Sequence, residues 1–322
     1  ADVDGVGAMV DGLDADVGVA RRGQQFKRGG GRHGAIVLRH SRAMRIEIEP
    51  GVRLFVDIEG LGWVPEAGQL RQRPTLLLLH GGPGFDHGGF RPFFSRFSDI
   101  AQVVYYDHRS QGRSDDRPRS EWTLDTWADD VVRLCERLGI ERPIVVGQSF
   151  GGFVAQRYLA RHPGHPAKVV LSSTSHHTGL PRKLAAFARL GGAQAEAAAR
   201  AFWLQPGPDT WTDYEIHCRH LYNTTPQRKL FETQFRPDVL FHFVAGEKQA
   251  MDLRAGLAGV RCPVLVLVGE EDPVTPPQDA EEIAAALPPD CVQLVRLPKV
   301  GHGAWRDDPA AAEALLRGFF AA

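Results

Sequence analysis

Residues 147–151 read Gly-Gln-Ser-Phe-Gly, with the apolar run Ile144-Val145-Val146 before them and an apolar helical segment, 153–160, after them. A serine between glycines at a strand-to-helix turn holds its hydroxyl at the tip, because the glycines relieve crowding where the chain reverses. That hydroxyl is a weak nucleophile at neutral pH and needs a base, which in turn needs an acceptor to fix its tautomer. Candidates for both lie downstream in equivalent places. Asp272 follows the apolar run 264–268, and His302, flanked by Gly301 and Gly303, follows the run 292–297. Glu270 and Glu271 compete for the acceptor's role, but the turn made by Pro273 directly after Asp272 suits a short, fixed carboxylate. The pattern therefore predicts acyl transfer, with Ser149 attacking, His302 moving the proton and Asp272 orienting the imidazole.

An acyl-transfer intermediate carries an oxyanion, which backbone N–H groups stabilise by about 2.7–4 kcal/mol each in enzymes of this chemistry. His80-Gly81-Gly82-Pro83-Gly84 directly follows the apolar run 75–79 and can bring backbone close to a substrate. The expected donors are the N–H groups of Gly82 and Phe150, with Gly81 as a substrate contact.

Regular elements have to deliver these residues to one edge. Strand-like runs recur at 45–49, 53–58, 75–79, 103–106, 144–146, 169–171, 264–268 and 292–297, and several are apolar at every position. Uninterrupted apolar runs suit strands covered on both faces, and open sheets of that kind bind ligands at the carboxyl ends of their strands. Leu124, Trp127, Ala128, Val131, Leu134, Cys135 and Leu138 keep helical spacing before Gly139, and Asp308-Pro309 opens a final helix. The expected fold is α/β, a mostly parallel central sheet with helices on both faces. The strand–helix rhythm breaks over 176–259, where Ala-rich and aromatic stretches punctuated by prolines predict an inserted helical cap. Its aromatics, among them Trp203, Trp211, Tyr222, Phe231 and Phe243, suit either the cap's own core or a pocket lining. The catalytic core is then expected at 44–175 and 260–322. Residues 1–43, acidic at first and then basic with little apolar periodicity, read as a disordered extension.

The 322 residues carry 38 Lys+Arg against 39 Asp+Glu, a net charge of -1, which lacks the positive field of a nucleic-acid binder. No apolar run approaches the roughly 18 residues of a membrane span, and the acidic start does not resemble a secretory signal. The four cysteines are scattered without a Cys-x-x-Cys pair, so neither a disulfide framework nor a zinc site is expected, and the cytoplasm fits. His217, Cys218 and His220 lack a fourth residue at supporting spacing, so no metal is expected there. The partner expected is a small molecule or short peptide, handled without a cofactor.

His80 to Gly84 is the HGGPG signature of prolyl aminopeptidases (proline iminopeptidases), and Asp107-His108-Arg109-Ser110-Gln111-Gly112-Arg113-Ser114 is similar to the Asp-x-Arg-Gly-x-Gly-x-Ser loop that follows the next strand in those proteins. From about residue 45 onward the chain resembles that group within the α/β-hydrolase superfamily. The resemblance implies a cofactor-independent serine hydrolase with Ser149, Asp272 and His302 as its triad. It also implies release of an N-terminal residue from small peptides, with cap carboxylates holding the free amino group; Glu215 and Glu232 are the candidates. The chain departs from the pattern at Gln148 and Phe150, where those enzymes usually have Gly and Trp, and at Ser110, which replaces a glycine. A carboxylesterase or lactonase built on the same machinery is the alternative. The space above Ser149 discriminates: a carboxylate there binds an ammonium, whereas an apolar roof suits a neutral ester.

Overall fold

The computed structural model describes residues 42–225 and 233–322. Eight strands form one sheet: β1 (Arg42–Glu49), β2 (Val52–Glu59), β5 (Thr75–Leu79), β6 (Gln102–Tyr106), β7 (Ile144–Gln148), β8 (Lys168–Ser172), β9 (Val264–Gly269) and β10 (Val292–Leu297). A separate small hairpin, β3 (Trp63–Glu66) with β4 (Gln69–Gln72), lies between β2 and β5 in the chain and is largely exposed. The sheet order is β1-β2-β6-β5-β7-β8-β9-β10, and only β2 runs against the others. The chain passes from β5 to β6 on one side and then crosses back to β7 on the other. That reversal is the topological switch point at which open α/β sheets bind ligands.

Burial follows from the apolar runs. All five residues of β5 and all six of β9 are buried. Side chains alternate between two hydrophobic clusters: Leu77 and Leu79 meet α1 (Leu124–Leu138) and α2 (Phe150–Arg161), while Leu76 and Leu78 meet Phe94, Phe97 and the final helix. Thr123 caps α1 by accepting from Thr126 N–H, and Gly139 ends it at φ 66°, where a residue without a Cβ is favoured.

Between β8 and β9 the chain forms α3 (Leu180–Leu204), which breaks at Gly192, then α4 (Pro208–His217), α5 (Pro237–Ala245) and α6 (Glu247–Ala250). These helices share a cluster that includes Phe187, Phe202, Tyr214 and Leu240 and reaches Val274 in the loop after β9. The chain closes with α7 (Pro277–Ala286), α8 (Ala304–Asp307) and α9 (Pro309–Ala321). β1 begins at Arg42, inside the stretch expected to be an extension, because Arg42 to Glu47 pair with β2; residues 1–41 lie outside the described residues. Among the described residues no helix is long and apolar enough to cross a membrane.

Candidate active site

β7 ends at Gln148 and α2 begins at Phe150, so Ser149 alone makes the turn. Its φ of 55° and ψ of -116° lie outside the low-cost regions for an L-residue, a strain of about 1–3 kcal/mol. The flanking glycines answer to close backbone approaches. A Cβ at Gly151 would stand 1.9 Å from Leu79 O, and one at Gly147 would stand 2.5 Å from Gly151 O. Ser149 N–H donates to Ser172 O at 3.0 Å, and Thr174 Oγ1 donates to Ser149 O at 2.9 Å, which ties the turn to the end of β8.

His302 Nδ1 lies 3.0 and 2.9 Å from the two oxygens of Asp272. The carboxylate is itself held: Oδ1 accepts the N–H groups of Val274 and Thr275 at 2.8 and 2.9 Å, and Oδ2 accepts the Thr275 hydroxyl at 2.8 Å. An acceptor so fixed assigns the ring proton to Nδ1 and leaves the Nε2 lone pair available. The backbone N–H of His302 donates to Tyr222 O at 2.5 Å, and the Tyr222 ring stands edge-on to the imidazole at 5.3 Å. Ser149, His302, Gly81 and Gly82 all line one cavity.

The loop after β5 is clamped from behind. His80 Nε2 accepts His108 N–H at 3.0 Å, so its proton sits on Nδ1, which donates to Gly81 O at 2.8 Å. Burial keeps this ring neutral by pushing its pKa below the usual value. Gly84 N–H donates to Gln111 Oε1 at 2.7 Å. A Cβ at Gly81 would stand 2.6 Å from Gln148 Oε1 and 3.4 Å from Ser149 Cβ, so this loop abuts the serine turn. The Phe150 ring packs away from the cavity against Trp127 and Phe243, at 5.0 and 5.2 Å, while its backbone opens the first turn of α2, where N–H groups lack intrahelical partners.

The segment 107–114 supports both loops. Asp107 accepts the N–H groups of His87 and Arg113 at 2.9 and 2.8 Å, and the buried Arg109 makes a two-pronged pair with Asp130 at 2.8 and 2.6 Å. Ser110, which stands in place of a glycine, has φ 63°, a left-handed conformation that favours glycine. Its hydroxyl accepts Arg117 N–H at 2.9 Å.

The cavity holds about 1040 Å³ including its mouth, and α3, α4 and α5 contribute to its lining. Asp86 is the only carboxylate among the described lining residues. Both of its oxygens are engaged: Oδ1 by Gly88 N–H at 2.9 Å, and Oδ2 by Arg113 and by Gln234 N–H, each at 2.8 Å. Cations are more numerous, with Lys183, Lys248, Arg219 and Arg306 all lining the space. Glu215 is exposed, lies 4.0 Å from Arg219 and is not among the lining residues. Glu232 and Phe231 lie outside the described residues.

Trp203, Trp211 and Tyr222 line the cavity and also pack within the helical cluster between β8 and β9, so the two roles weighed for these aromatics coincide. The lysines were missed by reasoning from motifs, yet a signal exists for one of them. Leu180, Lys183, Leu184 and Phe187 share one face of α3, so Lys183 falls on an apolar stripe, whereas Lys248 sits on the short α6 beyond the break at Gly246 and carries no such mark. Among the described residues His176, His177 and Glu282 also come within reach of a common metal ion, but Glu282 is committed to Arg182 and to His176 Nε2.

Comparison with known proteins bears on this geometry. Residues 74–309 match the sequence family described as the alpha/beta hydrolase fold. The chain belongs to this family. A proline iminopeptidase of Lactobacillus delbrueckii subsp. lactis is 35% identical over 116 residues, which cover 33% of this chain and 38% of that relative. Among solved structures, a proline iminopeptidase-related protein from Thermus thermophilus is 25% identical with a TM-score of 0.64, covering 88% of this hydrolase and 98% of that chain. Est816, described as an N-acyl homoserine lactone degrading enzyme, is 26% identical with a TM-score of 0.61, covering 86% and 100%.

Proposed function

We propose that this hydrolase cleaves carboxylic esters or lactones through an acyl-enzyme formed on Ser149. In the first half-reaction Ser149 Oγ bonds to the carbonyl carbon, His302 Nε2 takes the serine proton, and the carbonyl oxygen becomes an oxyanion facing the N–H groups of Gly82 and Phe150. The C–O bond to the leaving alcohol breaks, and His302 returns the proton to that oxygen. Water then attacks the acyl carbon, gives a proton to His302, and Ser149 leaves with it as the free hydroxyl. Asp272 holds the imidazole and stabilises its charged form in both halves.

The observation that carries the ester reading is Asp86: it is the only carboxylate on the described cavity wall, and each of its oxygens already accepts hydrogen bonds. Release of an N-terminal residue calls for an acid to meet the free ammonium; of the two cap candidates, Glu215 lies outside the cavity lining and Glu232 lies outside the described residues. The likeness of Est816, a lactone degrading enzyme, agrees with this reading. A second reading, a prolyl aminopeptidase, is favoured by the His80 to Gly84 loop and by the partial match to a proline iminopeptidase. A panel of acyl esters, lactones and proline arylamides separates the two. Faster turnover of the proline arylamide than of any ester or lactone would overturn the ester reading.

A further inference from the structure

Two lysines on the cavity wall have no evident work in the acyl-transfer steps. Lys183, on α3, and Lys248, on α6, are each 1% exposed. Their ammonium groups rest on aromatic faces, Lys183 Nζ 5.0 Å from the centre of Trp203 and Lys248 Nζ 4.0 Å from that of Phe153. An ammonium has three donors. Lys248 places one on His177 O at 2.8 Å and a longer one on Ser175 Oγ at 3.4 Å, whereas Lys183 Nζ makes no hydrogen bond among the described residues.

Among the described residues no carboxylate is bonded to either lysine. Asp279 attracts both lysines, but Oδ1 of that residue is bonded to Arg182 at 3.0 Å and its other oxygen makes no hydrogen bond to either. Asp272 attracts Lys183 but is saturated by His302, Val274 and Thr275. Burial pushes the pKa of both lysines below the usual range, and Lys183 pushes Lys248 further down by repulsion. Burying two like charges in a cavity is costly, and the cost falls when an anion enters between them.

From the placement of these groups we propose that Lys183 and Lys248 bind a carboxylate on the substrate, so that the natural ester is an acid-bearing one, such as a half-ester of a dicarboxylic acid. A carboxylate has acceptor sites enough for the open donors of both lysines, while Phe153, Trp203 and Leu240 cover the carbon chain leading to it. The proposal rests on the ester reading above and adds the substrate's charge to it.

The test compares monomethyl glutarate and monomethyl adipate with their dimethyl esters in wild type, Lys183→Met and Lys248→Met, with folding checked by circular dichroism. In wild type kcat/KM is expected to favour the half-esters. Either substitution is expected to lower the half-ester to diester ratio by about 10- to 100-fold, the range for losing a charge-assisted hydrogen bond. Because Lys→Met removes a buried charge, the variants should melt no lower than wild type, which separates lost recognition from lost structure. A second arm titrates glutarate into Ser149→Ala protein by calorimetry, with and without each lysine. Lysine-dependent glutarate binding without hydrolysis of any ester would sink the ester reading and leave the anion site standing. A half-ester preference indifferent to both substitutions, together with glutarate binding that does not need them, would overturn the site itself.

Discussion

Asp272→Asn removes one charge and almost no volume, and its effect can be worked out atom by atom. Oδ1 is fixed by the N–H groups of Val274 and Thr275, so the asparagine carbonyl has to take that position. The new NH₂ then occupies the place of Oδ2, facing the Thr275 hydroxyl and His302 Nδ1. Thr275 can turn its hydroxyl to accept, and Nδ1 keeps a carbonyl 3.0 Å away at the Oδ1 position, but the NH₂ at 2.9 Å now offers it a donor and favours the tautomer with the ring proton on Nε2. In that tautomer the nitrogen meant to deprotonate Ser149 carries a hydrogen. The corresponding change in a Ser-His-Asp protease lowers kcat about 10⁴-fold, and the same loss is expected here, a barrier increase of about 5.4 kcal/mol. Because both backbone hydrogen bonds to Oδ1 survive, the melting temperature should fall by only a few degrees. Steady-state ester hydrolysis and a thermal melt on the same sample make the measurement. A folded Asp272→Asn protein with kcat within tenfold of wild type would refute the assignment of Asp272 as the orienting acid.

Other substitutions probe the neighbouring elements. Gly151→Ala places a Cβ 1.9 Å from Leu79 O, and the resulting separation of α2 from β5 should cost about 3 kcal/mol in urea unfolding; an unchanged midpoint would contradict the packing. Arg109→Met strands the buried Asp130 and should cost about 3–5 kcal/mol by the same assay, with a loss under about 1 kcal/mol counting against the ion pair. Glu215→Gln should leave kcat/KM for esters and proline arylamides within twofold, and a tenfold loss would return Glu215 to the site. The Glu282 carboxyl is held down to about 2, chiefly by Arg182, against the opposing effect of burial. A depressed carboxyl stabilises above its unfolded pKa and ceases to do so as pH falls through the folded one, so the melting-temperature gap between wild type and Glu282→Gln should narrow from about pH 4.5 to pH 2. A gap that stays constant over that range would exclude the linkage.

What could be read from the sequence was whatever local chemistry dictates. The runs at 75–79 and 264–268 suit a strand covered on both faces, and the turn at Ser149 needs small neighbours whose crowding the structure makes plain. Asp272 and His302 could be singled out because each follows a strand end that opens onto the same edge of a parallel sheet, where the structure brings the two side chains into contact. The hairpin of β3 and β4 carried no such mark, since Glu66, Gln69, Arg71 and Gln72 pair without burying an apolar face. Specificity was harder still. Glu215 matched an expectation about residue type, but a helix on the surface offers its carboxylate to Arg219 as readily as to a ligand. Lys183 and Lys248 looked like ordinary charges until helices far apart in sequence brought both to one cavity wall.

The hydrogen bond from His302 N–H to Tyr222 O joins the proposed base to the helical insertion that helps roof the cavity. Asp307 adds a second tie, accepting Gly301 N–H on one side and the N–H groups of Thr224 and Thr225 on the other. Roof and base are therefore not modular. A roof transplanted from another hydrolase to change substrate range would have to supply its own carbonyl at this point, or the imidazole would lose its footing. Selecting new specificities from libraries of the insertion should accordingly keep residues 222–225 fixed and vary the walls contributed by α3, α4 and α5.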